Sequence, residues 1–402
     1  MDFASLLHPM PTESFISDHL GRGVCVLEGP FDRFESILPW AQINDILERH
    51  WFDATRIRIV KGHRHLNISE FSPSIATYPI SESGLRRRQL SAESLSRHLR
   101  DGATLHIKSV EDLSEEVAEL ASSIERVFKE RASIELLVSY GETPGYQAHI
   151  DYVDVFAIQI YGRKKWAVWE PTRKWPLLTD PESAPKPEGE PQEIVLTSGN
   201  VLYVPRGTWH LVTPAQDLSV HLSVSVSRRT GIDLMKWLVE GLHTMEICRQ
   251  DLPMPVDGES ADQEQHLRQL RETVIKFLDH PNLIDRFLAT HQAAQPFRQV
   301  FDLPRTITGS GLGNGGGWNV RWCAPMAVVD MDPDGLVVRA GGRCHRFGAE
   351  SLPVIRFLMA RTTSSLDTVG EEAINPALQP SDVRRIVWDL SLAGLAVVEE
   401  IS

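Results

Sequence analysis

The stretch "QAHIDYVDVFAIQIYGRKKWAVWEP", residues 147–171, decides how the chain is read. It sets a histidine and an aspartate two apart at the head of an apolar run, with three adjacent cations behind. In an extended strand residues i and i+2 face the same side, so His149 and Asp151 are expected to project together. An imidazole and a carboxylate on one face make two-thirds of a two-histidine, one-carboxylate site, a donor set that suits Fe(II) and leaves coordination positions open.

A third donor has to come from a distant strand. His210 in "LTSGNVLYVPRGTWHLV" fits: a Gly-Asn turn opens a strand, Pro205 and Gly207 close it, and the histidine follows the turn. The separation, 210 − 149 = 61 residues, leaves room for several strands. A lone HxD says little. The pair with the distant histidine, in a β-rich region and with basic residues between, points to a metal centre. His63 and His65 in "KGHRHL" share the spacing but have no carboxylate in a comparable turn, and read as surface or supporting residues. His221 in "SVHLSVSV" shares its strand with apolar residues and reads as buried and hydrogen-bonded, or else as lining the site.

Around this centre, "SIELLVSYG", "VDVFAIQIYG", "KKWAVWEP", "QEIVLTSG", "NVLYVPRG" and "SVHLSVSVSR" are short β-rich runs between Gly, Pro and Asn turns, the pattern of a small antiparallel barrel or sandwich. Upstream, "GVCVLEG", "ATRIRIV" and "TLHIKSV" read as strands, and "SAESLSRHLRDG" as a helix with a Ser cap and a Gly stop. Apolar spacing predicts one amphipathic helix over 109–132. From 231 onward two or three helices carry apolar stripes too sparse for a core of their own, so they are expected to pack on a partner subunit or bridge two domains. The Gly-rich stretch "ITGSGLGNGGGWNV" (307–320) has no strand before it and no helix after it, and reads as a linker rather than a phosphate loop. The tail, 321–402, has the rhythm of a winged-helix domain; its recognition segment is not notably basic, which favours interaction or structural use.

Bulk properties set the limits. At 402 residues the chain is expected to hold two or three domains. A net charge of −13 speaks against a general nucleic-acid binder; it is compatible with a basic protein or peptide partner and is also simply common among soluble enzymes, the reading preferred here. No apolar run approaches a membrane span, and the N-terminus lacks the basic and apolar regions of a signal peptide. Cys25, Cys248, Cys323 and Cys344 are scattered, without zinc or disulfide spacing, which points to a reducing, cytoplasmic setting.

Taken together, "HIDYVDVFAIQIYGRKKW", "GNVLYVPRGTWH" and "SVHLSVSV" resemble the JmjC-type ribosomal oxygenase family, cupin-like protein hydroxylases that depend on Fe(II) and 2-oxoglutarate. The resemblance implies an α+β chain: a double-stranded β-helix (JmjC/cupin jelly-roll) catalytic domain over 1–230, a helical dimerisation region over 231–305 and a winged-helix-like domain over 306–402. It implies His149, Asp151 and His210 as catalytic iron ligands, with O2 as oxidant. Lys164, 164 − 149 = 15 residues after the first histidine, matches the family's cation for the far carboxylate of 2-oxoglutarate. A dianion held inside a barrel needs such a charge, although spacing alone does not choose among Arg163, Lys164 and Lys165. Ser225 matches the position from which the family offers that carboxylate a hydroxyl. Where many relatives carry Asn and Tyr, this chain has Glu135 and Leu137; the roles of these two and of His221 are open.

The implied activity is hydroxylation of an amino-acid side chain, at its β-carbon, in a protein such as a ribosomal protein. The implied partners are that substrate and a second copy of the chain, with no membrane and no nucleic acid. One alternative keeps the chemistry and moves it to the precursor peptide of a natural product; offering intact ribosomes and looking for oxygen gain separates the two. Another is a non-catalytic cupin-like binding or regulatory protein. The retained ligands and the placed cation speak against it, and a metal and decarboxylation assay would reveal it.

Overall fold

The computed structural model describes residues 1–50, 52–72, 74–75, 87–88, 90–215, 218–254, 261–309, 311–312, 317–361, 363–372 and 378–401. The chain divides into two units, Met1–Arg228 and Arg229–Ser402. The first holds helices α1 (Phe3–Leu7), α2 (Thr12–Asp18), α3 (Trp40–Arg49), α4 (Ala92–Arg100) and α5 (Glu115–Phe128). Its strands are β1 (Cys25–Leu27), β2 (Ile57–Lys61), β3 (Arg64–His65), β4 (Ser74–Ile75), β5 (Arg87–Arg88), β6 (Thr104–Ile107) and β7 (Ala132–Ser139). They continue with β8 (Asp154–Tyr161), β9 (Arg163–Trp169), β10 (Gln192–Thr197), β11 (Val201–Val204), β12 (Trp209–Pro214) and β13 (Ser219–Val226).

Strand β8 explains the layering. Phe156, Ile158 and Ile160 enter one core, shared with Phe3 and Leu6 of α1, Ile43 and Ile46 of α3, and Leu120 and Ile124 of α5. Val155 and Ala157 alternate to the other side and meet Trp166 and Val168 of β9 and Ile194 and Leu196 of β10. The run is mostly apolar because both its faces are covered, one by helices and one by a second sheet. The large sheet has the order β1-β11-β8-β13-β7-β6-β2-β3, all pairs antiparallel, and the small one is β10-β9-β12. This is the double-stranded β-helix that the sequence leads one to expect.

The chain changes sheets at Gly162, between β8 and β9. Its φ is +68°, and a Cβ there would lie 2.0 Å from the carbonyl oxygen of Leu218, so only glycine passes. The expected helix over 109–132 is shorter. A 3-10 turn occupies Val110–Asp112, and α5 begins only where the Ser114 hydroxyl accepts from the Val117 amide. Lys129, in the left-handed region, ends it. Strand β12, which carries His210, was not separated from its turn in the sequence pattern.

The second unit opens with α6 (Gly231–Leu242), α7 (Glu246–Arg249), α8 (Ala261–Leu278), α9 (Leu283–Ala294) and α10 (Arg305–Thr308). It continues through β14 (Trp318–Trp322), β15 (Val328–Asp332), β16 (Gly335–Ala340), β17 (Arg343–Phe347), α11 (Leu352–Ala360), β18 (Thr363–Ser365), α12 (Leu366–Glu372), α13 (Pro380–Leu392) and β19 (Ala396–Glu400). Its core joins Val354, Ile355 and Leu358 of α11, Val369 of α12 and Val383, Ile386 and Leu390 of α13 to Val320 of β14 and Val398 of β19. Helices α11, α12 and α13 precede the terminal strand. The terminal strand does not form a hairpin after the third helix, however: β19 pairs with β14 from upstream, in the order β18-β14-β19. Of the Gly-rich stretch 307–320, residues 310 and 313–316 lie outside the described residues.

Candidate metal centre

His149, Asp151 and His210 come together: their donor atoms all lie within 4.8 Å of one another. The way they do so differs from the expectation. His149 and Asp151 precede β8 and belong to no regular strand; instead His149 forms an isolated antiparallel bridge with His210, amide to carbonyl in both directions at 3.0 and 2.9 Å. The Gly207 amide donates to the Asp151 carbonyl at 2.9 Å, fastening the β11–β12 turn to the same segment. Asp154, which sequence reading passed over, is the second clasp. Its buried carboxylate accepts from the Arg206 amide at 2.9 Å and from Arg228 Nε at 2.6 Å.

Each histidine is oriented by its own neighbourhood. His149 Nδ1 lies 2.8 Å from the Gln147 carbonyl and His210 Nδ1 3.1 Å from that of Thr208. A carbonyl only accepts, so Nδ1–H donates on both rings and each Nε2 keeps its lone pair. His210 Nε2 lies 3.6 Å from Asp151 Oδ2, and the two rings have centroids 4.3 Å apart. Burial, and then the neighbouring His149, push the His210 pKa below its ordinary value. Two imidazoles that turn Nδ1 to backbone carbonyls and present Nε2 beside a carboxylate form the donor set that a divalent first-row metal takes, and ring orientations fixed by backbone carbonyls are how such ligands are held.

Of the three adjacent cations, alternation on β9 exposes Arg163 and Lys165 and buries Lys164. Among the described residues its Nζ has one hydrogen-bond partner, His221 Nδ1 at 2.9 Å, and no carboxylate within ion-pair distance. Burial alone pulls the lysine down to about 7. His221 is pushed well below its ordinary value by burial, then by the charges of Lys164 and His106. A buried ammonium without an anion is costly, and the two carboxylates of a small dicarboxylate, one for a metal and one for Lys164, suit what the site lacks. Ser225 lines the same cavity of about 300 Å³, with the three candidate ligands and Lys164.

The sequence reading missed the far wall. His106 of β6 donates from Nε2 to Glu135 of β7 at 2.6 Å, and its Nδ1 lies 3.0 Å from the Tyr146 hydroxyl. Burial alone would raise the Glu135 carboxyl, yet the His106 hydrogen bond and the charges of His106, Lys108 and Arg58 hold it below its ordinary range. Tyr146 is pushed up to about 12 by burial and by Glu135. Period-2 spacing in "TLHIKSV" could have placed His106 and Lys108 on one face, but not which face. His65 is exposed and edges against Tyr146, with ring centroids 5.9 Å apart.

Residues 110–234 match the family model described as the JmjC domain. Among curated proteins, the chain is 24% identical over 230 residues to the bifunctional lysine-specific demethylase and histidyl-hydroxylase NO66 of Drosophila melanogaster, covering 55% of this chain and 33% of that one. It is 23% identical over 333 residues to the protein of the same name from Drosophila yakuba, covering 76% and 47%. The chain thus spans about a third to a half of the length of these relatives. The crystal structure of the Escherichia coli ribosomal oxygenase YcfD aligns over 97% of this chain and 98% of that one, with a TM-score of 0.62 and 17% identity. A YcfD structure in complex with cobalt and 2-oxoglutarate aligns over 97% and 99%, with a TM-score of 0.60 and 17% identity. At that identity the likeness shows a shared fold.

Proposed function

We propose that this chain, a JmjC-domain protein over residues 110–234, is an Fe(II)- and 2-oxoglutarate-dependent oxygenase that hydroxylates an amino-acid side chain of another polypeptide. One observation carries the reading: a two-histidine, one-carboxylate cluster shares its cavity with a buried lysine that meets no anion among the described residues. Fe(II) would be held by Nε2 of His149, Nε2 of His210 and the Asp151 carboxylate. The far carboxylate of 2-oxoglutarate would meet Lys164 Nζ, with the Ser225 hydroxyl beside it. When bound, the metal and cosubstrate supply the oxidation, in which 2-oxoglutarate and O2 give succinate, CO2 and one oxygen atom on a substrate carbon.

The protein's residues supply the rest. The Gln147 and Thr208 carbonyls hold the ligand tautomers, and His221 holds the lysine head as acceptor. Apolar residues of β8, β9 and β11 keep the floor of the barrel dry, which strengthens every charge interaction above it. A protein substrate, ribosomal in particular, is supported by the likeness to a ribosomal oxygenase and to histidyl-hydroxylases. Four free cysteines agree with a reducing compartment such as the cytoplasm. No helix among the described residues is long and apolar enough to cross a membrane. A homodimer built through the helices of 231–305 is supported by the apolar side chains that α8 leaves exposed.

Two measurements test the assignment. His149→Ala and His210→Ala are each expected to abolish Fe(II)-dependent conversion of 2-oxoglutarate to succinate while the melting curve stays cooperative. Intact ribosomes incubated with the wild type should gain the mass of one oxygen atom on a ribosomal protein. Succinate formation that survives either substitution removes the metal assignment.

A further inference from the structure

We infer that the pocket is built to receive an acidic side chain of its polypeptide substrate, seated by Arg58 and Lys108 on the wall made by β2 and β6. The inference rests on the oxygenase reading above and names the chemistry that its substrate brings.

The sheet register places the groups. Arg58 stands opposite His106, His106 opposite Leu137, and Leu137 opposite His221. Two positions along the same face, Lys108 adjoins Glu135, and Glu135 stands opposite Ser223. All of these line the cavity that holds the candidate metal ligands. Besides Asp151, the lining carries the basic side chains of Arg58, Lys108 and Lys164 against one carboxylate among the described residues, Glu135.

With Fe(II) and 2-oxoglutarate in place, the charges of the metal and Lys164 are matched by Asp151 and the dianion. Arg58 and Lys108 then stand against Glu135 alone. Glu135 is engaged: one oxygen accepts from His106 at 2.6 Å, and the other lies 3.8 Å from Lys108 Nζ. Arg58 is half-buried, and its charge reaches both Glu135 and Tyr146, yet it makes no hydrogen bond or ion pair with any described residue.

A guanidinium that has lost part of its water and gained no acceptor among the described residues favours a planar anion that can take two of its N–H groups, and a carboxylate is that anion. The same surplus of positive charge opposes a lysine or arginine side chain, so the wall attracts one class of substrate and repels another.

The test uses the full chain loaded with Mn(II) and 2-oxoglutarate without O2, and fluorescein-labelled peptide pools whose central residue is Asp, Glu, Arg or His among neutral residues. Anisotropy should show the Asp or Glu pool binding tighter than the Arg pool by about tenfold or more, the worth of one charge-assisted pair. Arg58→Gln should erase the preference, and Arg58→Glu should turn it toward the Arg pool. An Arg or His pool binding tightest, equal or absent binding of all pools, or a preference that survives Arg58→Gln each overturns the inference. The wild-type ranking stands even if a variant fails to fold. If Mn(II) and 2-oxoglutarate themselves do not bind, the oxygenase reading falls; if they bind and no acidic preference appears, only this inference falls.

Discussion

A protonated Lys164 in a dry barrel, with an imidazole as its one hydrogen-bond partner among the described residues, is held at the expense of folding until an anion arrives. Its consequence for pH follows from linkage. In the unfolded chain the group titrates near its ordinary 10.5; in the fold it is pulled down to about 7. Between those values the unfolded state binds more protons, so the stability of the ligand-free protein rises with pH through that window and carries the full penalty below it. Lys164→Met removes the titrating group at similar length. The difference in unfolding free energy, wild type minus variant, should climb with pH across the window in urea denaturation. Saturating 2-oxoglutarate should flatten the wild-type curve by keeping the lysine charged. The same variant should bind 2-oxoglutarate weaker by about tenfold or more, while metal uptake by His149, Asp151 and His210 persists. A flat difference curve would mean that something in the fold already neutralises Lys164.

What places that lysine is an element boundary. Gly162 carries the chain from the large sheet to the small one, and any Cβ there meets the Leu218 carbonyl oxygen at 2.0 Å in a left-handed backbone. Gly162→Ala is therefore expected to cost about 2 kcal/mol or more of stability and to weaken 2-oxoglutarate binding by shifting β9. An unchanged urea midpoint would show that the crossing relaxes freely. The same boundary explains what the sequence could tell. Alternation cannot be carried across a residue where the chain changes sheets, so Lys164 was singled out through family resemblance and not through parity. His210 was legible because Pro205 and Gly207 announce the turn before it. His149 and Asp151 were legible as a pair, but the strand assumed for them was not: the bridge from His149 to His210 does its work across 61 residues (210 − 149), beyond any local pattern. His106 stayed hidden, and the role of Glu135 stayed open, because polar residues alternating on a strand read as solvent-facing, and only barrel closure turns that face inward. The helix is shorter than the 109–132 that apolar spacing predicts because the left-handed Ser109 and the Ser114 cap delay its start and the left-handed Lys129 ends it.

At the scale of the molecule, the described residues of the second unit leave apolar side chains exposed. On α8, Leu267 is 66% exposed and Ile275 46%, and with Leu270 and Val274 they line one shallow cleft at helical spacing. Ile284 on α9 is 61% exposed as well. A stripe of this kind in water favours a second copy, which can cover it by two-fold symmetry with the same residues on both sides. The charge of the chain then fixes how the association answers to salt. Each copy carries −13, so two copies repel at low ionic strength, and added salt screens the repulsion while apolar contact is untouched. Light scattering should therefore report twice the chain mass, with dissociation on dilution easier at low salt than at high salt. The double substitution Leu267→Glu and Ile275→Glu, on exposed positions, should give a monomer with its helical circular-dichroism signal intact. A wild-type chain that stays monomeric at both ionic strengths removes the homodimer and leaves the α8 stripe to a different polypeptide.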